Sequence, residues 1–354
     1  MNQQSNKQQQ QFVGANYRAP MDEIAEVIMW PPRIIQCIQV FNGKEFIIEV
    51  LRSIYNEVDH IRIVEGAVEN QVNSTEDGHS TDGTIELINK FKEEEDPDQK
   101  VHLIQRQRHF KNLEEMKQTF LDYAVRGEWL LINDVDEFYK PEDIAMLRKA
   151  IEREPTASEF VPMFLHFYRD YQHIAKPEAE WQPQHQRFFR FVPGMTYASH
   201  PVATDHQGQC TYFSPHYQHR RFIVPDWYVW HYGYARQDME QVMRDKKTYY
   251  EKELAKHGGA DKPFDEKVDI FLNRKENPDD FCTYPLELHP EVMKDHPMFD
   301  VFDEPWSKIE MQSWDTVEPY SLETVPNIWL WMRGVNPRMP FFSNQITLRE
   351  LMEK

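Results

Sequence analysis

A chain of 354 residues, 40% hydrophobic and 28% charged, has the length for a sizeable core and the composition of a globular protein. Its net charge of -19 repels phosphate backbones and anionic lipid, which argues against nucleic-acid and membrane-surface partners. Cys37, Cys210 and Cys282 are too few and too scattered for a disulfide framework or a zinc site.

The chain opens with MNQQSNKQQQQ, polar and Gln-rich, with no apolar segment of a signal peptide. Residues 1–30 read as a disordered leader and the protein as cytoplasmic. From Arg33 the pattern becomes regular. RIIQCIQVF is a strand suited to cover on both faces. KEFIIEVLRSIYNEV follows with Phe46, Ile47, Val50, Leu51, Ile54 and Val58 at helical spacing. IRIVEGA is a second strand. STDGTIELINKF begins with capping residues and sets Ile85, Ile88 and Phe91 on one helical face.

VHLI gives the third strand. NLEEMKQTFLDYAV places Leu113, Met116, Phe120 and Tyr123 three and four apart, an amphipathic helix. WLLI is the fourth strand, and Pro141 opens the helix PEDIAMLRKAIERE. Strands alternating with helices predict an α/β fold, a mostly parallel sheet with helices on both faces. Beyond residue 155 aromatic residues, histidines and prolines crowd together and the regularity fades. A charged helix is expected after Arg236, and residues 241–354 read as an irregular and helical extension packed on a domain spanning 31–240. Trp306, Trp314, Trp329 and Trp331 read as residues that pack it there.

Ligands of such sheets gather beyond the carboxyl ends of the strands. The loops there carry Asn42, then Glu65 to Asp82, then LLINDVDEFY at 130–139. The last stretch aims Asp134, Asp136 and Glu137 at one point, and carboxylates so close repel unless a cation sits among them. Hard oxygen ligands of this kind suit Mg²⁺ or Mn²⁺. In the second loop, Ser80 to Thr84 stand at a helix start, where free N–H groups and acidic side chains cap the helix or hold a ribose or base.

FNGKEFI, IVEGA, GHSTDGT and LINDVDEFY, in this order, resemble the family 2 glycosyltransferases of the GT-A (Rossmann-like) fold, over residues 33 to 240. Gly43 stands where that pattern has Glu, Glu65 replaces its base-contacting aspartate, and a longer loop separates the two parts of its second motif. QRFFRFVPGMTYASHP is similar to the family's stretch ending in His-Glu, here His200-Pro201, and WHYGYAR to its late histidine motif. The resemblance implies transfer of a sugar from a nucleotide sugar, a UDP-sugar first, to a hydroxyl of a glycan, lipid-linked or other acceptor. It implies a metal shell of Asp134, Asp136 and His231 holding Mn²⁺ or Mg²⁺. It implies donor contacts from Val40, Asn42, Glu65, Asp82, Lys111, Asp134 and Arg187, with Arg190 a further source of charge. An inverting mechanism needs a base, for which Asp205, His200 and Glu137 are the candidates. His166, His173, His216 and His219 read as packing or surface residues.

Two other readings compete. A haloacid-dehalogenase-like phosphatase also places Asp-x-Asp after a strand, but its motif comes near the chain start and not after three βα units. A degenerate GT-A domain that only binds sugar or scaffolds partners is opposed by intact Asp134, Asp136 and His231.

Overall fold

A computed structural model describes residues 31–155, 157–176, 186–199, 202–204, 221–257, 263–317, 343–345, 347–348 and 350. The leader 1–30, Cys210 and the two tryptophans Trp329 and Trp331 lie outside them.

The four expected βα units are present. β1 (Ile34–Val40), β2 (His60–Glu65), β3 (Val101–Gln105) and β4 (Trp129–Asp134) alternate with α1 (Ile47–Ser53), α2 (Thr84–Glu94), α3 (Leu113–Asp122) and α4 (Pro141–Arg153). Pairing is parallel, in the order β4-β1-β2-β3. β1 is central, so both its faces are covered: Ile34 and Ile38 join one apolar cluster, Ile35 and Cys37 the other. Each such side chain contributes about 1.5–3 kcal/mol through burial. Cys37 and Cys282 are buried free thiols.

The chain leaves β1 towards β2 and β3, then returns to place β4 on β1's other side. That reversal opens a crevice at the carboxyl ends of β1 and β4, the usual ligand position in an open α/β sheet. Gln39 and Asp134 are paired in register there, and the Gln39 side-chain amide donates to the Asp134 carboxylate.

The aromatic-rich half extends the sheet with strands of mixed direction. β5 (Glu137–Phe138), β6 (Glu159–Tyr168), β7 (Asp170–Ala175) and β8 (Phe188–Arg190) are followed by the hairpin β9 (Thr196–Ser199) and β10 (Val202–Thr204), then by β11 (Arg221–Tyr234). β8 joins β4 and β6 antiparallel, β7 is antiparallel to β6, and β11 runs parallel to β6. Every residue of β6 is buried, so it lacks the period-two alternation of a half-exposed strand.

α5 (Met239–His257) is the charged helix expected after Arg236, and α6 (Pro263–Leu272) packs on it. The region from 241 onward also lends strands to the main sheet. β12 (Phe281–Thr283) pairs with β7, and β13 (Ser343–Gln345) with β11. Trp306 is buried against Tyr168 and Phe281, and Trp314 packs on Tyr228 and Tyr284. Among the described residues no helix is long and apolar enough to cross a membrane.

Candidate active site

Asp134 ends β4, and three residues later the backbone becomes β5. The turn is stapled at three points. Asn133 Nδ2 donates to the Glu137 carbonyl at 3.1 Å, and Asp134 N–H to the Glu137 carboxylate at 3.1 Å. The Tyr232 amide donates to the Asp136 carbonyl at 2.9 Å. β5 then pairs antiparallel with β11, Glu137 opposite His231 and Phe138 opposite Trp230. Residues 95 positions apart in sequence, Asp136 and His231, are thereby brought together, with His231 Nε2 3.8 Å from Asp136 Oδ1.

Gly233 lies under this pair. A Cβ there would stand 2.6 Å from His231 Nε2 and 2.7 Å from Asp136 Oδ2, so glycine leaves the space into which both groups point. Burial lowers the His231 imidazole below its ordinary value against the pull of Asp136 and Asp134, so the ring is neutral near pH 7. A neutral imidazole and one carboxylate suit a divalent ion whose remaining positions are filled by substrate phosphates and water. Those residues fit such an ion.

The expected trio of Asp134, Asp136 and His231 is not assembled. Among the described residues no group of three or more His, Cys, Asp and Glu side chains forms a metal cluster. Asp134 turns instead to cations and an amide. It accepts from Gln39 Nε2, from Arg187 Nη2 at 3.3 Å, and lies 3.9 Å from Lys117 Nζ. With two positive neighbours its charge is balanced by the protein.

Glu137 is corrected as a base candidate. It is 1% exposed and grips Arg187 through both its oxygens, one to Nε at 2.8 Å and the other to Nη2, so it cannot reach an acceptor hydroxyl. Burial pushes its carboxyl up, Arg187 pulls it down, and Asp134 adds to the push. Burial likewise opposes the charge on Arg187, but Glu137 and Asp134 outweigh it and raise the guanidinium. The other two candidates, His200 and Asp205, lie outside the described residues, as do His216 and His219.

The expected donor contacts divide. Arg187 reaches the crevice. Val40 flanks it with a buried side chain, and its carbonyl accepts from the Gly66 amide at 3.0 Å. Asn42, at φ 48°, holds the neighbouring loop: its side chain accepts from Thr81 N–H at 2.8 Å and donates to the Asn73 carbonyl at 2.9 Å. Glu65 is fully buried, accepting from Ser80 N–H at 2.8 Å and Gln105 Nε2 at 2.9 Å, with His79 Nδ1 at 2.9 Å. Its oxygens are taken up by the loop residues Ser80 and His79 and by Gln105 at the end of β3. Asp82 caps α2 through Thr84 and accepts from Lys44 N–H at 3.0 Å.

Lys111 and Arg190 are misplaced for the diphosphate. Lys111 is exposed and, with Glu69, Asn70, Arg108 and His109, lines a separate depression of about 800 Å³. Arg190 sits at the far end of β4 opposite Trp129 and donates to the Pro155 carbonyl at 2.7 Å. His173, expected to be a packing or surface residue, is buried with its Nδ1 2.7 Å from the Asp170 carboxylate.

Lys117 and Lys246 escaped the sequence reading. Lys117 is fully buried, and its Nζ has no hydrogen-bond partner among the described residues. Burial lowers its ammonium, Asp134 resists, and Arg187 adds to the fall. Its signal lay in the apolar stripe of α3, where a lysine one residue after Met116 and three before Phe120 requires a buried carboxylate. Lys246, on α5, lies 5.4 Å from the Tyr234 ring centroid, and that ring stands edge-on to His231. Burial lowers it as well, against Asp136 and Asp134.

Residues 37–204 match the family model described as Glycosyl transferase family 2. No curated protein sequence matches the chain significantly. Similar solved structures include S. aureus TarS 1–349, at 14% identity and TM-score 0.37 over 68% of this chain and 71% of that one. Another is glucosyl-3-phosphoglycerate synthase from Mycobacterium tuberculosis with Mn²⁺, UDP and glucosyl-3-phosphoglycerate, at 14% identity and TM-score 0.25 over 44% and 51%. A third is GalNAc-T7 with UDP, GalNAc and Mn²⁺, at 12% identity and TM-score 0.37 over 75% and 58%. The chain thus spans little more than half the length of the latter two.

Proposed function

With residues 37–204 forming a family 2 glycosyltransferase domain, we propose that this chain moves a sugar from a UDP-sugar to an acceptor hydroxyl, with a divalent cation and with inversion at the anomeric carbon. The observation that carries the cation is the convergence of Asp136 and His231 above Gly233, at the sheet's switch point. Asp136 and His231 would hold Mn²⁺ or Mg²⁺, whose charge offsets that developing on the departing diphosphate.

The protein's own residues do the rest. Arg187 and Lys117 set positive charge beside Asp134 at the mouth of the crevice, where its side chain is 26% exposed and would meet the ribose of the donor. Lys246 interacts electrostatically with both aspartates and would add positive charge near the departing diphosphate. His79 and Gln105 border the base end, and Asn42 and Asp82 hold the loop that shapes it. The base that takes the acceptor proton comes from the segment with His200 and Asp205, since Glu137 is locked to Arg187. The acceptor offers a hydroxyl, of a glycan, a lipid-linked sugar or another molecule.

The test is nucleotide release from UDP-glucose, UDP-galactose, UDP-N-acetylglucosamine and GDP-mannose, each with Mn²⁺ and with EDTA. One UDP-sugar should release UDP with Mn²⁺ and lose nearly all of that rate in EDTA. Equal rates in EDTA would remove the metal from the reading, and retention of anomeric configuration in the product would remove inversion.

A further inference from the structure

β6 and β11 run parallel with His166 directly beside His231. The two imidazoles meet through like atoms, Nδ1 to Nδ1 at 2.9 Å, with rings near perpendicular at 82° and centroids 4.9 Å apart. His166 is 7% exposed and its ring stacks on Phe164 at 5.4 Å, which in turn lies under the Arg187 guanidinium. The sequence suggested a packing or surface residue at this position.

Two ring nitrogens at that separation need one proton between them: two lone pairs repel, and two N–H groups collide. Only two arrangements satisfy this. If His231 Nδ1–H donates, its Nε2 keeps a lone pair, and that is the atom facing Asp136. If His166 Nδ1–H donates, His231 carries its own proton on Nε2 and has nothing to offer a cation there. We propose that His166 is the positioning residue of the candidate metal site: its Nδ1 accepts from His231 Nδ1–H and thereby turns the Nε2 lone pair of His231 towards Asp136. This rests on the metal reading above. The contact also fixes the plane of the His231 ring, so the ligand is set before a cation arrives.

The experiment reads Mn²⁺ binding by the electron paramagnetic resonance of the free ion, in wild type, His166→Phe, His166→Asn and His231→Ala. Phenylalanine cannot accept, whereas the asparagine carbonyl can. His166→Phe should raise the Mn²⁺ dissociation constant by about 10- to 100-fold, while His166→Asn stays close to wild type. Thermal unfolding without metal should change little in either.

On the wild-type chain loaded with diamagnetic Mg²⁺, ¹⁵N spectra should show His231 protonated at Nδ1 and bare at Nε2, a readout that needs no variant to fold. Wild-type Mn²⁺ affinity in His166→Phe, or an Nε2–H tautomer in the Mg²⁺ form, overturns the proposal. If His231→Ala also binds Mn²⁺ normally, the metal reading itself has failed. If His231→Ala loses binding and His166→Phe does not, only the role of His166 has failed.

Discussion

Replacing Arg187 by methionine retains much of the stem and removes the guanidinium shared by Glu137 and Asp134. Arg187 and Glu137 side chains are each 2% exposed. The 3.3 Å contact to Asp134 corresponds to about 5 kcal/mol of attraction at an effective dielectric constant of 20, before desolvation is subtracted. Taking one partner from a buried pair costs about 3–5 kcal/mol net, because the other charge is stranded. Glu137 can soften the loss by protonating, since burial already pushes its carboxyl up and Arg187 no longer opposes that.

The folded variant then binds more protons than the unfolded chain, so its stability falls as pH rises above the unfolded carboxylate range. Urea unfolding followed by tryptophan fluorescence should show a deficit of about 3 kcal/mol or more at pH 8 and less at pH 5.5. Arg187→Met with Glu137→Gln should recover at least half of it. A single variant that unfolds at the wild-type urea midpoint at both pH values would refute the reasoning, as would a double variant no better than the single one.

Asp136→Asn should lower Mn²⁺-dependent UDP release by about a hundredfold or more with the melting temperature held or raised, since it relieves carboxylate repulsion in the metal-free site; wild-type turnover would remove Asp136 from the chemistry. Gly233→Ala inserts a methyl group within 2.7 Å of both His231 and Asp136, so Mn²⁺ affinity should fall by about tenfold while the fold survives; calorimetric titration decides. His289 is buried with Nε2–H donating to the Tyr171 carbonyl at 2.9 Å and Nδ1 accepting from Tyr232 O–H at 2.7 Å, an arrangement only the neutral ring can make. Burial lowers it to about 3, so its contribution is complete above the unfolded value near pH 6.5 and is lost below it at about 1.4 kcal/mol per pH unit. His289→Gln should flatten the fall in unfolding free energy between pH 6.5 and 4.5, and an unchanged slope would show that the acid sensitivity lies elsewhere.

Local sequence determined the first half of this protein. Apolar residues at period 3.6 placed α1 to α4, short β-branched runs placed β1 to β4, and the alternation of the two implied the parallel sheet. The position of Asp134 and Asp136 followed directly, because a strand that ends in carboxylates at a switch point is legible one residue at a time. Tertiary structure decided which charges answer which. Glu137 looked like a free acid beside two others, yet the antiparallel arrival of β8 brings Arg187 onto it and turns a base candidate into a buried ion pair. Lys117 looked like one more helix lysine until α3 packed against the crevice and buried it beside Asp134.

β6 was illegible for a physical reason: a strand covered on both faces shows no alternation, and its long aromatic run carries no period to read. The pairing of β5 with β11 joins residues 92 and 94 apart, a register set by the packing of the whole sheet and by no neighbouring residue. That register puts His231 over Asp136, Gly233 beneath them and His166 beside them, so the chemistry of the site belongs to the sheet as much as to the motif.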